Sequence, residues 1–402
     1  MKKVRFAICG AGDRGSHLTT SILCVLGSVE IVAICDIFQE KANALAKAVN
    51  EINGDTPMVY SNHQELLENE TLDAMLVATS IDTHASIAID AMEKGVAVGM
   101  EVGGASSEEE CYKLLDTYER TQTPFMFLEN CCYGKAELFA ASLKKHGVLG
   151  DVVYCHGAYQ HDCRELICTG DGSGYNFRMD VWANDNADYY PTHELGPIAK
   201  ILNICRGNRL VSLSSRASCA KGLHDYIDRN EKHHHWKGGS FTHGDIVETL
   251  INCENGELIS IRLDTSLPTY YSREITIRGT RGQFRQDGNI VMIDGDTYEK
   301  FDEAVNSADR YLDEYLPEVW KSIPAFAMEA GHEGIDYLML VSFVDALQNG
   351  KEMPVDIYDA VTWMSIGYLS RESIAKGGAC VEIPDFTKGA YKSRAPLDVV
   401  DL

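Results

Sequence analysis

Nowhere in the 402 residues is there an apolar run approaching the roughly 18 residues that a membrane span requires. The opening stretch MKKVRFAICGAG has two lysines, but its apolar part is short and leads straight into glycines. A signal peptide is therefore a weak reading of it, and the chain reads as cytoplasmic. Positive charge is also scarce: 36 Lys and Arg stand against 60 Asp and Glu, for a formal net charge of −24. Binding to nucleic acid needs a phosphate-neutralising surface, which this balance does not supply. Anionic substrates would be repelled as well, so a neutral small molecule is the easier partner. No C-x-x-C occurs and the thirteen cysteines are odd in number, which favours reduced core thiols over a disulfide framework. Internal repeats and low-complexity linkers are missing too.

What is present is ordinary globular material, 45% hydrophobic and 24% charged, long enough for two or three domains. The first 125 residues alternate short apolar runs with amphipathic helical segments. VRFAICG, EIVAICD, AMLVATS, VAVGMEV and PFMFLEN read as buried strands of a parallel sheet. DRGSHLTTSILCVL, QEKANALAKAVNEI and SSEEECYKLLDTYERT lie between them with helical periodicity. That alternation predicts a doubly wound α/β domain. After about residue 150 longer strand-like segments follow: DVVYCHGAYQHD, DIVETLINC, ELISIRLDT and SREITIRG. Asn255-Gly256 predicts a hairpin turn, Asp287-Gly288 a second. An antiparallel sheet with one face open for a ligand is expected, closed by helices near 332–349 and 357–376, the first ending at Gly350.

Gly10-Ala-Gly12-Asp13-Arg14-Gly15 follows the first strand and opens a helix, and Asp36 ends the next strand. In that context a G-x-G-x-x-G run points to a dinucleotide site. Glycine lets backbone N–H groups and the helix N-terminus approach a pyrophosphate. An acidic Asp36 would accept from both ribose hydroxyls and repel a 2′-phosphate, so NAD is favoured over NADP. The expected organisation is an NAD-binding Rossmann domain over 1–128 and a substrate and oligomerisation α+β domain over 129–402.

The segment Asp188-Tyr-Tyr-Pro-Thr-His-Glu-Leu-Gly-Pro-Ile198 raises a second candidate. Pro191 suits the first position of a helix, which would place Tyr190 and His193 on one face. In CHGAYQHDC, strand alternation puts Tyr159 and His161 on a common face and His156 on the other. Tyrosine and histidine can hold or move protons near neutrality. The histidines at 224, 233–235 and 243 fit no standard zinc spacing and read as a solvated loop, so no metal is expected. Cys155 and Cys163 read as packing, and Glu129 as a strand end or a group near the cofactor.

The N-terminal half resembles the Gfo/Idh/MocA oxidoreductases, a family that joins a Rossmann domain to an open-faced antiparallel sheet. Its members usually carry Glu-Lys-Pro after the fifth strand, whereas this chain has Glu101-Val102-Gly103 and lacks that lysine. FLENCCYG, GAYQHD, YPTHELGPIAKILNICRG, YYSREI, GHEGIDYLM, DIYDAVTW and IPDFTKG, in this order, resemble glycoside hydrolase family 109, the NAD-dependent α-N-acetylgalactosaminidases. The chain departs from that pattern at Asp13, at Ile81–His84, and at Glu194 and Glu333, where glycine is common. Carried over by position, the resemblance implies cofactor contacts from Asp13, Arg14, Asp36, Ile81, His84, Glu101, Val102, Asn130, Arg178 and His193, which join Gly10, Gly12 and Gly15 of the glycine run and the neighbouring Ser80 as the expected cofactor set. It implies sugar contacts from Tyr159, Tyr190 and Tyr271. His332 and Asp336, four apart in GHEGID, read from their spacing either as a helix-start pair lining the substrate site or as a capping or solvent-facing pair. His193, Tyr159, Tyr190 and His161 are the expected proton-handling residues.

The implied reaction oxidises carbon 3 of a bound hexoside, removes the acidified proton on carbon 2, and expels the aglycone from carbon 1 by elimination. Water then adds and the hydride returns, so net redox change is zero. Such a route is an exception to two-carboxylate glycoside hydrolysis. A net sugar or cyclitol dehydrogenase is the alternative. The resemblance leaves open a homo-oligomer through the C-terminal sheet.

Overall fold

The computed structural model describes residues 3–170 and 176–402, which divide into two compact units. The first comprises residues up to Gly134 together with Glu318–Met364 and Leu397–Asp401. Its sheet contains β1 (Val4–Cys9), β2 (Val29–Cys35), β3 (Met58–Tyr60), β4 (Ala74–Val77), β5 (Ala97–Met100) and β6 (Phe125–Phe127). The spatial order is β3-β2-β1-β4-β5-β6, and every pairing is parallel. This is the doubly wound order, with its switch point between β1 and β4. Strands covered on both faces have no polar side to show, which is why β4, β5 and β6 are buried at every position. The helix Ile335–Asn349 belongs to this unit and lays Phe343 edge-on to Phe6 of β1 at 5.9 Å. Gly99 of β5 makes that approach possible, since a Cβ there would stand 2.8 Å from the Phe343 ring.

The second unit comprises Lys135–Pro317 and Ser365–Pro396, with Leu402. Its sheet holds β7 (Val152–Gln160), β8 (Leu210–Ala217), β9 (Ile246–Cys253), β10 (Leu258–Asp264), β11 (Thr276–Gly279), β12 (Gly282–Arg285), β13 (Ile290–Ile293) and β14 (Val381–Glu382). They lie in the order β13-β12-β11-β7-β10-β9-β8-β14. Pairing is antiparallel except between β7 and β10, so the sheet is mixed where uniform antiparallel pairing is expected. Both expected hairpins form: Gly256 between β9 and β10 and Gly288 between β12 and β13 adopt positive φ of 99° and 86°.

Alternation along β7 sends Cys155, Gly157 and Tyr159 to one face and His156 to the other. The first face packs on the helix Thr192–Ile201, where a Cβ on Gly157 would come 2.9 Å from Glu194 Cβ. Tyr159 is thus on the helix-covered face, and the uncovered face expected to take a ligand instead carries His156, paired with Glu274 at 3.1 Å. Pro191 is the N-cap of that helix (φ −66°, ψ −18°), one residue before the expected position, so Tyr190 precedes the helix. The histidine segment Glu231–Trp236 forms a 3₁₀ helix, with His233 buried and its Nε2 2.9 Å from Glu165. A solvated loop does not describe it. Among the described residues no helix is long and apolar enough to cross a membrane.

Candidate active site

In the first unit the glycine loop after β1 divides its work among three positions. Gly10, at φ +104°, lies where a Cβ would fall 2.3 Å from the Ala78 carbonyl oxygen at the end of β4. Gly15 is pressed on the same turn, its imagined Cβ 1.9 Å from the Gly10 oxygen. Gly12 has nothing within 4 Å in that direction. One glycine makes the turn, one packs helix on strand, and one leaves open space for a close approach, the division a dinucleotide cradle requires. The helix Asp13–Ser21 starts there without a side-chain cap, presenting its first N–H groups. Asp36 is held at the tip of β2: its Oδ2 accepts from Ala11 N at 2.7 Å and its Oδ1 from Phe38 N at 2.8 Å. These residues fit a dinucleotide.

Around this loop the expected cofactor residues form a connected set. Arg14 donates from Nε to Glu101 Oε1 at 2.9 Å, and forks onto Asp336 at 2.6 and 2.8 Å. Asn130 Nδ2 reaches Asp336 Oδ1 at 2.7 Å, and His332 Nδ1 lies 2.8 Å from its Oδ2. The sequence reading puts His332 and Asp336 at the sugar; the structure groups them with Arg14 and Asn130 in the cofactor unit. Burial would raise the Asp336 pKa, but hydrogen bonds from His17, His332 and Arg14 outweigh it and hold it well below the ordinary range. Burial likewise works against the Arg14 charge, and the Glu101 and Asp336 carboxylates overcome it, so the guanidinium is more firmly protonated than usual. His17, His332 and Asp336 have ligand atoms close enough to share a cation. Arg14 Nη1, 3.4 Å from His332 Nδ1, already supplies the positive charge at that corner.

The remaining cofactor candidates are ordered locally. Ser80 Oγ donates to Asp82 at 2.6 Å, and Ile81 lies over Gly103, where a Cβ would be 2.2 Å from its side chain. His84 is buried with Nε2 3.0 Å from the Thr79 oxygen, and burial lowers its pKa. Val102 N faces Glu101 Oε2 at 3.3 Å. Glu129 is fully buried and caps the 3₁₀ helix Asn130–Tyr133 by accepting from Cys131 N at 3.1 Å.

The second unit gathers the other candidates into an aromatic and imidazole cluster. Tyr159 Oη lies 2.9 Å from His161 Nδ1. The Tyr159 ring is 4.6 Å from His193 and 5.4 Å from Tyr190, and the Tyr190 and His193 rings lie nearly parallel at 6.2 Å. Tyr271 joins edge-on, 5.0 Å from His161 and 6.3 Å from Tyr159. Arg178 Nε donates to Tyr190 Oη at 3.1 Å. Burial outweighs that cation and raises the Tyr190 phenol. Cys155 and Cys163 are buried packing residues, the Cys163 thiol pushed up to about 12 by burial.

Three residues carry this cluster that sequence pattern did not single out. Trp182 packs beneath Tyr190 at 6.2 Å and stacks on His243 at 4.7 Å. Asp188 is fully buried just before the tyrosine pair, its backbone N–H on Ser370 and its Oδ2 3.4 Å from the Thr249 hydroxyl. Arg273 donates to Tyr271 Oη at 2.8 Å. Tyr271 and Arg273 flank Ser272, which makes only an isolated bridge to Gln160, and spacing alone does not tell a site-facing arginine from a solvated one.

The β3-β2-β1-β4-β5-β6 sheet with its three-glycine cradle defines a dinucleotide-binding α/β domain of the Rossmann type. Residues 4–128 match the model of an oxidoreductase family with an NAD-binding Rossmann fold, and residues 133–393 match glycosyl hydrolase 109, C-terminal domain. The chain belongs to glycosyl hydrolase family 109 and is an enzyme of the glycosidase class. It is 36% identical to an α-N-acetylgalactosaminidase of Tannerella forsythia, over 98% of this chain and 88% of that one. A protein of the same name from Shewanella oneidensis is 33% identical, covering 100% and 88%. In fold it is similar to scyllo-inositol dehydrogenase from Lactobacillus casei (TM-score 0.67, 12% identity, 95% and 98% covered). It is also similar to the WlbA dehydrogenase of Chromobacterium violaceum in complex with NADH and UDP-GlcNAcA (TM-score 0.63, 15% identity, 96% and 97% covered).

Proposed function

We propose that this enzyme is an NAD-dependent glycosidase that cleaves N-acetylgalactosaminides or closely related hexosides. The observation that carries the reading is the Tyr159–His161–His193 cluster, which offers proton-handling groups in a chain whose Glu101-Val102-Gly103 lacks a lysine. The two relatives named α-N-acetylgalactosaminidase support the substrate class. In this reading the first unit, residues 1–134 with 318–364, binds NAD, and the second, residues 135–317 with 365–396, provides the sugar-binding groups. The cradle at Gly10, Gly12 and Gly15 takes the pyrophosphate and Asp36 the adenosine ribose. Ser80, Ile81, His84, Glu101, Val102 and Asn130 line the remainder, with Asp336 and His332 holding Arg14 and Asn130 in place.

When bound, NAD supplies reversible removal of hydride from carbon 3 of the sugar. The protein's own task is three protons: the one on the carbon 3 hydroxyl, which must leave as the hydride does and come back with it, the one at carbon 2, which the carbon 3 ketone acidifies, and the one that the departing aglycone needs. A phenol 2.9 Å from an imidazole can hold a proton on either partner, so the Tyr159–His161 pair suits the base and His193 the acid. Tyr190, with its oxygen turned to Arg178, orients the ring rather than exchanging protons.

The test is a panel of α- and β-p-nitrophenyl glycosides assayed in D2O. Aglycone release without net NADH, and deuterium at carbon 2 of the product, are expected. Turnover with no deuterium there would overturn the elimination route. Steady NADH accumulation with a free sugar or cyclitol would assign a dehydrogenase instead.

A further inference from the structure

Beneath the Tyr159–His161–Tyr271 cluster lies an ion pair outside the residues assigned so far. Glu137, from the helix Lys135–Lys145, is 1% exposed, and Arg273 is 8% exposed. Arg273 Nε and Nη2 both engage the Glu137 carboxylate, the second at 3.1 Å. A buried ion pair repays its desolvation poorly and is weak evidence of a stabilising role. Its remaining terminal nitrogen, Nη1, is turned to Tyr271 Oη at 2.8 Å.

Hydrogen-bond polarity then follows from elementary inventory. Guanidinium has five N–H donors and no acceptor. Tyr271 Oη must therefore accept from Arg273, and its own hydrogen points away from the ion pair. The Tyr271 ring stands edge-on to His161 and is half exposed, so the hydroxyl belongs to the same cluster as Tyr159. Fork geometry on Glu137 leaves the guanidinium plane no freedom to rotate, which fixes where Nη1 points.

We propose that the Glu137–Arg273 pair is a positioning device that fixes Tyr271 as a hydrogen-bond donor to an oxygen of the bound sugar. Neither charged residue touches substrate; both act through the Tyr271 hydroxyl. The inference rests on the reading of this cluster as the sugar site. Lysine at 273 keeps a charged donor but loses the fork, and glutamine loses the charge.

The experiment uses the full-length, NAD-loaded enzyme as wild type, Arg273→Gln, Arg273→Lys, Glu137→Gln, Tyr271→Phe and the Tyr271→Phe/Arg273→Gln double variant. Losing a hydrogen bond to a charged group predicts a fall in kcat/KM of roughly ten- to a hundredfold for Arg273→Gln, with Arg273→Lys intermediate. In the Tyr271→Phe background the same change should add less than about twofold, because the two residues act as one unit. Effects that multiply instead would overturn the proposal. A readout independent of turnover is the ¹⁹F resonance of 3-fluorotyrosine placed at 271. It should shift in both Glu137→Gln and Arg273→Lys, which cover the case in which Arg273→Gln fails to fold. An unmoved resonance in both overturns the positioning role. If wild type cleaves no glycoside while the resonance still shifts in both variants, the glycosidase reading is refuted and the positioning of Tyr271 stands.

Discussion

At the scale of single residues, the proposed function separates groups that exchange protons from groups that only hold others in place. His193 lies 4.6 Å from Tyr159, centre to centre, and follows directly from the helix that starts at Thr192. Replacing it with alanine should abolish aglycone release while bound NAD, measured by its absorbance after denaturing the protein, stays stoichiometric. Full activity in that variant would sink its assignment. Asp336 behaves differently, since its carboxylate is shared by Arg14, Asn130 and His332. Asp336→Ala leaves the Arg14 guanidinium with Glu101 alone and should destabilise the protein by about 3 kcal/mol or more. NAD affinity should fall with it, whereas an NAD affinity equal to wild type would show that Asp336 supports something other than the cofactor residues.

Among the structural elements, glycines decide which parts can approach. Gly157 lets β7 lie against the helix bearing His193, and without it the Glu194 side chain would have no room. The segment before the helix Ile335–Asn349 makes the opposite choice. Glu333 sits at φ 51° and ψ 30°, a left-handed conformation that favours glycine. Glycine at this position in the resembling family is thereby explained. Glu333→Gly should relieve roughly 1 kcal/mol of strain and raise the urea midpoint. An unchanged or lower midpoint would mean that Glu333 contributes more through its side chain than its backbone costs.

The molecule as a whole carries several buried titratable groups whose effects on stability run in opposite directions. Burial lowers the pKa of His84 and His243. Their contribution is complete above the unfolded value of about 6.5 and is lost as pH falls through the folded values. Asp188 has the other sign: burial pushes its pKa up to about 7. Its contribution is complete below the unfolded value of about 3.9 and is lost as pH rises through the folded value. Asp188→Asn stays uncharged throughout, so its stability relative to wild type should rise between about pH 4 and pH 7 and level off above. A difference independent of pH, read from urea melts, would remove Asp188 as a buried acid.

Much of the fold was legible because short apolar runs, glycine turns and helical periodicity are local properties of the chain. β1, β2, the Gly10–Gly15 loop, the Gly256 hairpin and the long C-terminal helices all follow from them. Short helices between 301 and 329 escaped because each buries at most one residue and shows no period. The sequence by itself determined the dinucleotide cradle, since turn, open approach and close packing are each written as one glycine. It determined the candidate tyrosines and histidines as types and spacings. Only tertiary structure decided that Tyr159 uses the helix-covered face of its sheet, that Asp336 serves Arg14, and that Arg273 turns one nitrogen to Tyr271. Those contacts join residues up to 322 positions apart, and nothing local distinguishes a carboxylate or guanidinium that will be buried from one left in water.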